Sequence, residues 1–202
     1  MLRFDDKKLS EVYTEMFPAP PQRPSAITGA GKLVRTFGDD PDLTDLRWAA
    51  YMLATVKHEC ANTWAPIVER GAREYFDKYE AGTPIGARLG NTQPGDGYQY
   101  RGRGFVQITG RNNYKKLGQL LNLGDRLVKQ PELALDFDIA YKIMSYGMRH
   151  GTFTGRKLES FIHSTECDYL HARRIINGLD RAESIQGYAK KLEIVLRESL
   201  VS

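Results

Sequence analysis

The run YQYRGRGFVQITGRNNY, Tyr98–Tyr114, decides how this chain is read. It holds glycines, aromatics, arginines and amide side chains in seventeen residues, none of them acidic. A packed core has no use for that composition, whereas a groove that binds a long, hydroxyl-rich polymer does. Its first residues, Tyr98-Gln-Tyr100, alternate as a short strand does. Residues 111–121 then carry Tyr114, Leu117, Leu120 and Leu121 at helical spacing. Arg101–Ile108 partly resembles the RNA-binding strand of an RRM, but Arg103 stands where that motif wants an aromatic. The helix expected after Thr109 also breaks the RRM frame, so no nucleic-acid partner is expected.

Upstream, Leu46, Ala49, Ala50, Leu53, Val56 and Cys60 make an apolar stripe that predicts a helix over 46–61, with Thr44 as N-cap. Glu59 falls in its last turn, beside the core. A carboxyl partly buried against apolar groups is held protonated, which suits a general acid. The plainer alternative is a helix-end glutamate paired with Lys57 or an arginine. His58 invites a metal reading, but His-Glu-Cys-Ala-Asn lacks the second histidine of a zinc-protease helix. No metal and no cofactor are expected, and His58 is read as part of the site wall.

The remaining pattern is mostly helical. Leu9, Val12, Tyr13 and Met16 predict a helix over 5–16, which the prolines from Pro18 onward stop. Residues 1–24 are read as a helical arm with a Pro-rich connection, and 25–202 as one domain. Glu74–Tyr79 alternates like a strand, and glycines and prolines from Gly82 to Gly97 mark a long loop. Asp136 can cap a helix over 137–150 that Gly151 stops, and Asp168 one over 169–176. A last helix, 182–200, buries Ile185, Ala189, Leu192, Val195 and Leu196. The fold class is α+β, mostly helical with a small β-hairpin insertion.

Charge and composition narrow the setting. The 202 residues carry 29 basic and 25 acidic side chains, a net +4 that favours approach to polyanions. Two cysteines, Cys60 and Cys167, make no disulfide framework and fit a reducing compartment. No apolar run reaches the roughly 18 residues of a membrane span, and the first residues do not resemble a signal peptide. A monomer without membrane contact is expected, made in a bacterial cytoplasm and acting on the wall after release.

Four islands in order resemble glycoside hydrolase family 19: His58-Glu59, Glu69-Arg70-Gly71, Tyr100–Gly110 with Asn113-Tyr114, and Ile175-Ile-Asn-Gly178. The resemblance runs from about residue 44 to 200. It implies a lysozyme-like fold and inverting hydrolysis, with Glu59 as general acid and Glu69 as general base. It further implies that Thr109 helps hold the nucleophilic water, and that Gln107, Asn113 and Asn177 bind sugar. Tyr100 and Arg103 match the strand that shapes the cleft floor. The chain departs from the family where Cys60-Ala61-Asn62 replaces Thr-Gly-Gly after His-Glu. Glu80, and more weakly Glu74, are rival bases.

Peptidoglycan and chitin are both β-1,4 polymers of N-acetylated amino sugars, so one acid/base pair can serve either. The basic balance and the absence of a recognisable export signal lean towards peptidoglycan, and so towards an endolysin of phage type. A chitinase, a lytic transglycosylase needing a single acid, and a non-catalytic glycan-binding wall protein are the alternatives.

Overall fold

The computed structural model describes residues 2–18 and 24–201. In chain order the helices are α1 (Asp6–Met16), α2 (Pro24–Asp39), α3 (Leu46–Glu59), α4 (Pro84–Leu89), α5 (Asp96–Gln99), α6 (Arg111–Leu120), α7 (Arg126–Lys129), α8 (Phe137–His150) and α9 (Ala182–Ser199). Four two-residue strands join them: β1 (Ile67–Val68), β2 (Arg103–Gly104), β3 (Ile162–His163) and β4 (Glu166–Cys167). The chain divides into two compact units, Met1–Trp64 with Tyr146–Ser202, and Ala65–Ser145.

The first unit is built on α3. Every residue from Ala49 to Lys57 is buried, so α3 is covered on all sides and not only along the predicted stripe. It packs on α9, which turns Ile185, Ala189, Leu192, Val195 and Leu196 inward as its spacing predicts. Its cap is Asp45 and not Thr44. One Asp45 carboxylate accepts both the Arg47 backbone N–H, at 2.9 Å, and the Arg47 guanidinium, at 2.6 Å, which a threonine hydroxyl cannot do. The segment read as an arm packs into the same unit. Leu9, Val12 and Tyr13 bury one face of α1, and Asp5 N–H donates to Ser199 O at 2.8 Å. Residues 19–23 of the Pro-rich connection lie outside the described residues.

Helix α2 has no counterpart in the sequence reading. Two of its glycines allow close approach: a Cβ on Gly29 would stand 2.8 Å from Trp64 Cβ, and one on Gly38 would strike the Leu2 carbonyl oxygen. The β3–β4 hairpin pairs Ile162 with Cys167 and has no clear sequence signal either. Asp168 accepts from His171 N at 3.0 Å, but it caps no helix over 169–176: the element there is a 3-10 turn, His171–Ile175, whose cap position is Leu170.

In the second unit the strands lie elsewhere than predicted. The antiparallel pair is β1 with β2, Ile67 opposite Gly104 and Val68 opposite Arg103. Glu74–Tyr79 belongs to a 3-10 helix, Arg73–Tyr79, and Tyr98–Gln99 to α5. The governing spacing is three and not two: Phe76 is buried and Tyr79 half-buried, while Asp77 and Lys78 between them, and Tyr75 before them, are exposed. The supposed long loop also holds structure. Thr83 Oγ1 accepts from Gly86 N and Pro84 opens α4, which Gly90 closes at φ 69°. Asp96, 1% exposed, accepts from Thr92 and Gln93 N–H and forks onto Arg111. Asp136 caps α8 through Asp138 and Ile139 N–H, and Gly151 takes φ 69° beyond it, as predicted. The whole is α+β, mostly helical with small antiparallel ladders.

Candidate functional site

In the first unit, Glu59 ends α3 half-buried, and its Oε1 accepts from Arg173 Nη1 at 2.6 Å. The Arg173 side chain is 3% exposed and its Nε donates to Asp180 O at 3.0 Å. The sequence reading offered apolar burial or an arginine partner for Glu59, and the arginine is what the fold supplies. Arg173 fixes the direction of the carboxylate and leaves the second oxygen uncommitted among the described residues. Tyr51 lies within the electrostatic reach of both groups, with its OH buried beside the Thr55 side chain. Burial first, and Glu59's charge more weakly, push the Tyr51 phenol far above its ordinary range, with Arg173 opposing. His58 is half-buried beside Glu59. Asn177 is exposed, its Oδ1 accepting from Gly178 N at 2.9 Å.

Removing the Arg173 charge strands a half-buried carboxylate. Arg173→Met should cost about 2–3 kcal/mol, below the 3–5 kcal/mol of a fully buried pair because the Glu59 side chain keeps 18% exposure. Urea denaturation would read this as a lower midpoint at unchanged slope. A loss under about 0.5 kcal/mol would show the pair to be energetically idle.

In the second unit, Glu69 follows β1 directly. Its Oε2 accepts from Gly102 N at 3.0 Å and its Oε1 from Tyr79 OH at 3.2 Å, while its own N–H donates to Gly102 O at 2.8 Å. A Cβ at Gly102 would stand 2.9 Å from Gln107 Oε1 and 3.1 Å from Glu69 Oε2, so a larger residue would push these side-chain ends aside. Burial, then the Glu69 charge, raise the Tyr79 phenol, which keeps its proton available to donate. Thr109 is half-buried, and its hydroxyl donates to Gln107 O at 3.0 Å. Of the rival bases, Glu80 is committed to Gly95 N at 2.8 Å, which staples the loop before α5, and Glu74 lies exposed on the 3-10 helix.

Several residues read as sugar contacts have other work. Gln107, left-handed at φ 52°, donates through Nε2 to both Ile67 O and Gly104 O at 3.0 Å and clamps β1 to β2. Asn113 Nδ2 donates to Thr109 O at 2.7 Å and so holds the Thr109 backbone. Tyr100, 1% exposed, donates to Val128 O at 3.1 Å. Arg103, 7% exposed, spends Nη1 on Gln99 O, Arg101 O and Tyr114 OH. Tyr100 and Arg103, read as part of the strand that shapes the cleft floor, are thus buried supports of the Arg101–Thr109 segment. Sequence reasoning missed Tyr79, taken for a strand residue, and Arg173, which stands 114 residues from Glu59 without a local motif.

No family profile matches the chain. A glycosyl hydrolase family 19 domain-containing protein of Haemophilus influenzae is 40% identical over 57 residues, 27% of this chain. That match spans about a quarter, 27%, of the relative's own length. Among solved structures, a bacterial family 19 chitinase superposes with a TM-score of 0.56 at 22% identity, covering 93% of both chains. Chitinase C from Streptomyces griseus gives a TM-score of 0.55 at 20% identity, over 93% of this chain and 76% of its own. The lysozyme-like fold of the family 19 chitinases is thus the fold of this protein. The resemblance to glycoside hydrolase family 19 carried by the four sequence islands is borne out, in fold across nearly the whole chain and in sequence across 57 residues.

Proposed function

We propose that the protein is a glycosidase that hydrolyses β-1,4 bonds in a polymer of N-acetylated amino sugars with inversion at the anomeric carbon. What carries the reading is a pair of half-buried carboxylates, each aimed by protein donors: Glu59 by Arg173, and Glu69 by Gly102 N–H and Tyr79 OH. Glu59 protonates the leaving oxygen through the oxygen Arg173 leaves uncommitted. Glu69 takes a proton from the attacking water, and the Thr109 hydroxyl helps hold that water. Inversion requires room for the water, a carboxyl separation of roughly 6.5–9.5 Å in working enzymes.

Peptidoglycan is the substrate we favour, with the protein acting as an endolysin-type enzyme released from a bacterial cytoplasm onto the wall. The net charge of +4 supports the approach to an anionic envelope. The low cysteine content, two in 202 residues, supports folding in a reducing compartment. Digesting purified peptidoglycan and chitin oligomers in parallel tests this. New reducing ends from peptidoglycan, with the anomer inverted, are expected. Cleavage of chitin alone would replace the substrate, and anhydro products would replace hydrolysis by transglycosylation.

A further inference from the structure

Lys57 is the most unusual charge in the first unit. It lies in α3, 5% exposed, two residues before Glu59. Its ammonium is 4.3 Å from the ring centre of Phe17, 5.4 Å from Tyr188, 5.6 Å from Tyr13 and 5.7 Å from Trp64. It donates to Asn62 Oδ1 at 2.7 Å and to Tyr13 OH at 3.2 Å. Burial, aided by the neighbouring Lys191 charge, pushes it down to about 8. An ammonium met by rings, a phenol and an amide oxygen instead of a carboxylate is an expensive choice for a core helix.

What it holds is the turn after Glu59. Ala61, Asn62 and Trp64 take φ of 48°, 61° and 56°, the left-handed region, in a turn without glycine. Asn62 is bound to Lys57 twice, by its side-chain oxygen to the ammonium and by its N–H to Lys57 O at 3.0 Å. Two walls of the cage, Tyr13 and Phe17, come from α1 and the residue that ends it.

We infer that Lys57 is a positioning residue: its caged ammonium holds the Ala61–Trp64 turn left-handed and so fixes the end of α3 from which Glu59 projects, with α1 a working part of that clasp. The catalytic half of this inference rests on the glycosidase reading, and the turn-holding half does not.

Lys57→Met fills the cage without charge, and adding Asn62→Gly lets the turn take its φ unaided. At pH 7 the lysine is charged in folded and unfolded chains alike, so removing it relieves a burial cost. Lys57→Met should therefore melt at the same temperature or higher. Hydrogen exchange at the Asn62 amide should quicken about tenfold or more. kcat should fall by about tenfold with KM within about twofold. The double variant, Lys57→Met with Asn62→Gly, should recover both the protection of the backbone amide at position 62 and kcat to within about threefold. Unchanged exchange and kcat in Lys57→Met would overturn the inference. So would a joint fall of kcat and melting temperature that the second substitution does not rescue, since that is a merely structural role. If the wild type cleaves no glycan, the glycosidase reading fails alone, and exchange at position 62 with its rescue still decides whether Lys57 holds the turn.

Discussion

Glu59→Gln should lower kcat by about 10²–10⁴-fold while glycan binding survives. The amide is nearly the same shape, and its oxygen can still accept from Arg173 Nη1, so the end of α3 has no reason to move. What disappears is the ability to take up and pass on the proton that the leaving oxygen needs. Removing the charge opposite Arg173 should also cost about 1–2 kcal/mol, because the guanidinium stays buried against a neutral oxygen. Two measurements separate chemistry from folding: turnover on the cleaved polymer, and equilibrium binding of the variant to the same polymer. A variant that binds normally and turns over at wild-type rate would remove Glu59 from the acid role. One that loses binding and turnover together would make Glu59 a structural partner of Arg173 and nothing more.

Local periodicity made much of the fold legible. The cores of α3, α8 and α9 and the cap from Asp136 follow from spacing and side-chain chemistry within a few residues. What escaped depends on distant partners. Gly29 and Gly38 give no local sign that Trp64 and Leu2 press on α2. Tyr75, Phe76 and Tyr79 look like a strand until burial selects Phe76 and leaves Tyr75 outside. The site divides the same way. Glu59 and Glu69 could be picked out because their immediate neighbours form recognisable islands. Arg173, Tyr79 and the Lys57 cage could not, since each meets its partner only after the chain has folded. Gln107 and Asn113 mark a further limit: their motif gives no sign that their nitrogens are bound to backbone carbonyls in the fold.

Glu69→Gln should reduce kcat by about 10²–10⁴-fold, and Glu80→Gln should leave it within about threefold. The hydrogen bonds explain why the first change is clean. Gly102 N–H can only donate, so it selects the amide oxygen of the new side chain, at the place of Oε2. The amide nitrogen then faces Tyr79 OH, and a hydroxyl can turn to accept where it had donated. No buried donor is stranded, so the Gly102 contact survives and only basicity is lost. Glu80 serves differently: its Oε2 accepts from Gly95 N, and an amide oxygen does that nearly as well. The two variants, assayed on the same substrate with melting temperature as the control for folding, assign the base. Full activity in Glu69→Gln together with a collapse in Glu80→Gln would move the base role across the α4–α5 loop. Full activity in both would leave Glu74 as the remaining rival base, and anhydro products would then mark transglycosylation by Glu59 alone.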